Sequence, residues 1–453
     1  MAGLARFLCL NGGAAAKPTP PTNDDGPPPS DIPAQRAELS APAGDWFALL
    51  DPLDAGLRDE LLKYGDLAQA TYDGFDGRHW SPHCGTCLHG LRRLLPALGL
   101  AGHGYVATAF IYATCDGGAG GEVPRWLRRQ LHADAWTGHA NWIGFVAVSG
   151  AAEARRAGGY RDIVVAWRGT IAPDEWLLDM RTRMVPFELD AGKDRGARVA
   201  MGFHSIYTSS NAGNMYGGGR SAREQVAGEL ARLVSHFRGR GEAVRVVTTG
   251  HSLGGALAQL AARDAADAHP GVPVAAVAFA APRVGNAAFC AGLASRGVRV
   301  LRVAVRHDVV PLVPSVPRVV LDAPVSKALA KLWAAIGRPP SWAYVHAGDE
   351  LELDVKGSPF LKHAYDVLGF HNLETCLHLL DVAGGGGGGA RRDRALVNKT
   401  SGMLRDEERV PAWWYLPENK GLVRNELGRW VVAEREEDDL PVPDDRLPLS
   451  ELD

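Results

Sequence analysis

AVRVVTTGHSLGGALAQLAARDAADA, residues 243–268, decides how this chain folds. The first eight residues are largely β-branched and apolar, as a buried strand requires, and the last fourteen are strong helix formers. Between them stands Gly250-His251-Ser252-Leu253-Gly254. In a chain with 54 glycines the pattern G-x-S-x-G says little by itself. Its position between strand and helix makes it a nucleophile elbow, a sharp turn that projects a serine from the end of a sheet. Ser252 must take a strained backbone there, and a β-carbon at Gly250 or Gly254 would crowd it. The N–H of Leu253, at the positive end of the new helix, can then point at the same space and receive an oxyanion. The competing reading is a glycine-rich packing turn around an idle serine.

Working outward, DIVVAWRGT (162–170) reads as a buried strand ending at Arg168 and Gly169, and SAREQVAGELARLVSHFRGRG (221–241) as a helix leading into the strand of the elbow. Strands PVAAVAFAAP and VRVLRVAV follow the helix after Ser252. Alternating strands and helices build βαβ units, so the expectation is an α/β-hydrolase fold with a mostly parallel central sheet flanked by helices. Function then belongs at the carboxyl ends of the strands. A later stretch, AYVHAGDELELDV, alternates as an antiparallel strand would.

In this fold the order along the chain is serine, then acid, then histidine. Asp308 stands in RHDVVPLVP just after a strand, where a carboxylate can reach a histidine from a further loop. Its alternative role is a turn-forming residue before Pro311 and Pro314, with His307 an exposed neighbour. His371 precedes NLETCLHLL, a short helix capped by Asn372, and so sits on a loop that can place its imidazole between Asp308 and Ser252. His363 is the fallback base, His346 is committed to a strand face, and His378 reads as a packed or surface histidine. The second oxyanion donor is expected in Arg168-Gly169-Thr170, where Thr170 offers an N–H and a hydroxyl. Beyond it, IAPDEWLLDMRTRMVPFEL exposes Trp176, Leu177 and Met180, as a lid over about 171–188 would; an ordinary surface helix is the alternative.

Composition bounds the rest. Length, 453 residues with 46% hydrophobic content, gives ample core for a large domain over 43–432. A net charge of −3 carries no footprint for nucleic acid. No apolar run approaches the ~18 residues needed to cross a bilayer, so contact with membrane lipid is expected to be peripheral. Six cysteines make no disulfide framework. Cys84 and Cys87 in HCGTCLH have spacing for zinc or redox chemistry, but without a second C-x-x-C a structural turn is the better reading. Residues 1–42 read as disordered; the first 23 hold Arg6 and Lys17 and no acid, the charge bias of an organelle transit peptide. Six glycines at 384–389 form an insertion, and the acidic tail 433–453 reads as unstructured.

The combination AWRGT, EWLLDM, GFH, TGHSLGGALAQLAA, APRVGN, HDVVPLVP and HNLETCLHLLD resembles the class 3 lipases, and more closely the plant plastid-type phospholipase A1 group. The likeness runs from about residue 46 to 430. It implies Ser252 as acyl-enzyme nucleophile, Asp308 and His371 as its relay partners, and Thr170 with Leu253 as oxyanion donors. It further implies release of the sn-1 acyl chain of phospholipids, with galactolipids and triacylglycerol as further substrates and jasmonate synthesis as one destination. No metal or organic cofactor is needed for that chemistry, and membrane glycerolipids are the partners. The implied compartment is the plastid, with the mitochondrion and cytoplasm as alternatives because the transit-like segment is short. An esterase of small soluble esters and a non-catalytic lipase-like signalling protein are the rival readings.

Overall fold

A computed structural model describes residues 47–114, 141–170, 183–187, 196–314, 342–383, 392–415 and 422–452, apart from 79, 157, 365 and 433. The segment 1–42, the stretch 171–182 and the six-glycine run therefore lie outside the described residues. Seven strands form one sheet: β1 (Tyr105–Ala113), β2 (Asn141–Ser149), β3 (Tyr160–Trp167), β6 (Ala243–His251), β7 (Val274–Phe279), β8 (Arg299–Val305) and β9 (Asp349–Leu353), in that spatial order. Two short strands, β4 (Met184–Pro186) and β5 (Arg198–Ala200), pair outside it. β3, β6, β7, β8 and β9 run parallel, while β1 and β2 continue the sheet antiparallel.

The sheet is covered on both faces, which is why its central strands are apolar at nearly every position. Along β3, Ile163, Val165 and Trp167 enter one core, and Val164 and Ala166 the other. Helices α2 (Ala222–Gly239) and α3 (Leu253–Ala268) supply Leu230, Phe237, Leu257 and Leu260 to the first core. The second takes Leu61, Leu67 and Leu377 from α1 (Ala55–Asp73) and α4 (Leu373–Val382). Each such leucine, fully buried, stabilises the fold by ~1.5–3 kcal/mol. The helix starts follow from their caps: Asp54 accepts from Leu57 N, Ser221 and Glu224 form a capping box, and Asn372 accepts from Thr375 N.

Away from the strand carboxyl ends, Arg245 of β6 grips Asp162 of β3 at 2.6 and 2.7 Å, and Tyr64 of α1 and Tyr105 of β1 donate to the same carboxylate. Burial alone would raise the Asp162 carboxyl, but the Arg245 charge and hydrogen bonds hold it below its ordinary value. This buried anchor fixes α1 across three strands.

Two expectations are corrected. β9 pairs parallel with β8, not antiparallel: an edge strand with one solvated face alternates whatever its direction. The tail is structured through 434–452: Arg435 donates to Cys87 O and to Asp76, Gly90 N donates to Asp439, and Leu447 N donates to Thr108 O on β1. Few but well-placed anchors hold it despite its polar composition. Of the stretch assigned to a lid, Trp176, Leu177 and Met180 lie outside the described residues, and at its far end Met184 and Phe187 are buried beside β5.

Candidate active site

Ser252 ends β6 and precedes α3, with φ 58° and ψ −124°. That left-handed conformation is unusual for a non-glycine residue, and two glycines make room for it. A β-carbon on Gly250 would lie 2.4 Å from the carbonyl carbon of Gly254, and one on Gly254 2.3 Å from the carbonyl oxygen of Trp167. Neither contact is tolerable, so the turn closes only as G-x-S-x-G. The Ser252 N–H donates to Phe279 O on β7 at 2.9 Å, which pins the elbow to the next strand.

Around this turn the structure gathers the residues expected to carry chemistry. His371 Nε2 lies 2.9 Å from Ser252 Oγ, and His371 Nδ1 lies 2.9 Å from Asp308 Oδ2. Asp308 follows β8, and its other oxygen accepts from Val310 N at 2.9 Å. A carboxylate can only accept, so Nδ1 carries the proton and Nε2 is free to take one from the serine hydroxyl. All three side chains are buried: Ser252 is 1% exposed and His371 and Asp308 are 4%. In such a dry site a developing charge is screened little by water.

The two residues expected to receive an oxyanion lie in the loop after β3 and at the start of α3. Leu253 is the first residue of α3, so its N–H has no partner within the helix. Thr170 is buried, and its Oγ1 has no hydrogen-bond partner among the described residues. The neighbouring Gly169 comes so close that a β-carbon there would stand 3.3 Å from Ser252 Cβ. A buried unsatisfied hydroxyl this close to Ser252 is costly unless it meets a ligand.

Two residues that sequence reading passed over complete the arrangement. His251 Nε2 meets the main-chain carbonyl of His371 at 2.7 Å, and its Nδ1 meets the hydroxyl of Tyr72, near the end of α1, at 2.8 Å. A carbonyl only accepts, so His251 is protonated on Nε2 and Tyr72 donates to Nδ1. Burial, reinforced by the neighbouring His371, holds His251 well below the usual imidazole value and keeps it neutral. The signal available was the variable position of G-x-S-x-G filled by a histidine, a polar residue at the end of a buried strand.

The other candidates fall elsewhere. His346 donates to Pro311 O at 2.7 Å, His363 and His307 are exposed, and His378 is buried against Ser358 Oγ at 2.7 Å. Burial pushes the Cys87 thiol up to about 12 and raises Cys84 as well, opposite to what a metal ligand or redox pair needs. No cluster of His, Cys, Asp or Glu placed to hold a metal occurs among the described residues.

Residues 164–317 match the family model described as Lipase (class 3). The chain is 40% identical to Phospholipase A1-Igamma1, chloroplastic, of Arabidopsis thaliana, over 90% of its own length and 80% of that protein. It is also 40% identical to Phospholipase A1-II 6 of Oryza sativa subsp. japonica, over 87% and 94% respectively. Among solved structures it is similar to a triacylglycerol lipase from Penicillium expansum, at 18% identity and a TM-score of 0.41, covering 66% of this chain and 81% of that one. With an α/β-hydrolase sheet, a serine at its elbow and relatives of this identity over most of its length, the chain belongs to the class 3 lipases, in the group of the plant phospholipases A1.

Proposed function

We propose that this chain hydrolyses the sn-1 acyl ester of membrane glycerophospholipids, and of galactolipids and triacylglycerol as secondary substrates, with Ser252 as nucleophile. The observation that carries this reading is the hydrogen-bonded line from Ser252 through His371 to Asp308, in a chain 40% identical to a named phospholipase A1.

His371 takes the Ser252 proton on Nε2 as Oγ bonds to the ester carbonyl, and Asp308 steadies the imidazolium that forms. The oxyanion is received by the Leu253 N–H and by Thr170. Collapse of the tetrahedral intermediate breaks the ester bond, and His371 passes its proton to the departing lysolipid oxygen. Water then repeats the cycle on the acyl-enzyme and frees the fatty acid. A plastid location is supported by relatives named chloroplastic. A polyunsaturated acid released there would be available to jasmonate synthesis.

The test is fatty-acid release from sn-1- and sn-2-labelled phosphatidylcholine and galactolipid vesicles, by wild type and Ser252→Ala. Release from sn-1 that disappears in the variant is the expected result. Release chiefly from sn-2, or release that survives the substitution, overturns the reading.

A further inference from the structure

One feature near the site takes no part in the reaction. Pro411, Ala412, Trp413 and Trp414 are exposed in succession, with Trp413 46% and Trp414 41% exposed. Four consecutive apolar residues facing water are unfavourable unless something covers them. The run is firmly held: Trp413 N donates to Ser401 O, Trp414 N to Asn398 O, and the Trp414 indole to Ala395 O at 2.8 Å. With its one polar atom already satisfied, the Trp414 ring can enter an apolar layer without stranding a donor.

Hydrogen bonds place this run beside the site. Asn372, directly after His371, donates to Thr400 Oγ1 at 2.8 Å, and Thr400 adjoins the Ser401 that receives Trp413. On the other side Lys399 meets Asp73 at 2.5 Å, next to the Tyr72 that holds His251. Tyr415 N donates to Lys399 O at 3.2 Å, so the segment stays on this side past the two tryptophans. The aromatic run thus borders the end of the sheet where Ser252 opens.

We propose that residues 411–414 form a membrane-docking edge whose occupant is the headgroup layer of a neutral glycerolipid bilayer. Tryptophan is favoured at that depth because its ring is apolar on one side and wet on the other. Attraction to anionic lipid is not the design: the preceding residues 405–409 set two arginines against three acids, and the run itself is uncharged. The proposal rests on the lipid-hydrolase reading and adds the surface by which the enzyme approaches its substrate.

The experiment uses the full chain carrying Ser252→Ala, to prevent hydrolysis, and phosphatidylcholine vesicles in a sedimentation assay. Trp413→Ala/Trp414→Ala in that background lowers partitioning by about tenfold or more, with little dependence on salt. In the Ser252 enzyme the same pair of substitutions lowers vesicle hydrolysis and leaves hydrolysis of dispersed p-nitrophenyl butyrate unchanged. If the double variant loses both activities, Ala412→Asp decides, since it keeps both indoles and adds a charge at an exposed position. Loss of vesicle binding in Ala412→Asp with butyrate hydrolysis intact supports the proposal. Vesicle binding at the wild-type level in the soluble variants overturns it, and the phospholipase reading then stands untouched. Vesicle binding that depends on the tryptophans while wild type releases no fatty acid overturns the hydrolysis reading and leaves the docking surface.

Discussion

His251 and His371 are joined through side chain and main chain: the imidazole of His251 donates to the backbone carbonyl of His371 at 2.7 Å. The elbow therefore sets the position of His371 as well as that of Ser252. Tyr72 fixes the His251 ring in turn, so a helix at the start of the domain is coupled to the site. Tyr72→Phe removes the donor to Nδ1 and frees His251 to rotate. We expect kcat on p-nitrophenyl butyrate to fall by about one to two orders of magnitude, with little change in KM. Unaltered kcat would mean that His371 is held without this chain of bonds.

Asp308→Asn keeps the shape of the side chain but presents an amide donor to Nδ1. The imidazole then favours the tautomer with its proton on Nε2, which cannot accept one from Ser252. Steady-state hydrolysis is expected to drop by about three to four orders of magnitude, with the urea unfolding midpoint nearly unchanged. A loss below about tenfold would remove Asp308 from the relay.

Gly254→Ala places a methyl group 2.3 Å from the carbonyl oxygen of Trp167, which is backbone of a central strand and cannot step aside. We expect a destabilisation of about 3 kcal/mol or more in urea denaturation, together with loss of activity. Stability within ~0.5 kcal/mol of wild type would show that the elbow has slack.

Burial lowers His378 to about 4, against the usual imidazole value near 6.5. Below that ordinary value the unfolded chain binds a proton that the folded chain does not, so stability is complete above pH ~6.5 and is lost as pH falls towards 4. From pH 7 to 5 this one residue costs ~2 kcal/mol. Unfolding free energies of wild type and His378→Gln at the two pH values test it, since the variant should lose less on acidification by that amount. Equal pH dependence in both proteins would remove His378 as the cause.

Arg435 joins the C-terminal segment to Asp76 at 2.9 Å and to Cys87 O at 2.7 Å. Burial alone would raise the Asp76 carboxyl, but Arg78, Ser81 and Arg435 together hold it below its ordinary value. Arg435→Ala strips one of these partners and is expected to cost ~2 kcal/mol, with faster proteolysis beyond residue 433. Unchanged proteolysis would mean that the remaining contacts, Asp439 with Gly90 N and Leu447 N with Thr108 O among them, hold the segment without Arg435.

The elbow, the parallel strands from 162 to 305 and their helices were legible because burial on both faces leaves continuous β-branched runs and the helices carry clear apolar faces. Ser252, Asp308 and His371, which the structure brings together, could be singled out because chain order and strand ends confine them to a few loops. Strands β1 and β2 were not foreseen, although YVATAFIYA and NWIGFVAVS are apolar enough, because 27 residues from 114 to 140 interrupt the hairpin. The direction of β9 was hidden because alternation reports a solvated face and nothing about the neighbour. Tyr72 escaped because a tyrosine at helical spacing reads as core; its hydroxyl acquires meaning only once α1 lies across β6.

The same C-terminal segment has a consequence for how copies of this protein meet. By bridging Arg446 to Ala109 and donating from Leu447 to Thr108, it occupies the outer flank of β1. At the opposite flank β9 presents the exposed Asp349, Glu350 and Glu352, the last two paired with Arg302 and Arg306. Among the described residues, one side of the sheet is thus stoppered by residues 446 and 447 and the other is lined by charged side chains, which disfavours strands from different molecules zipping onto either.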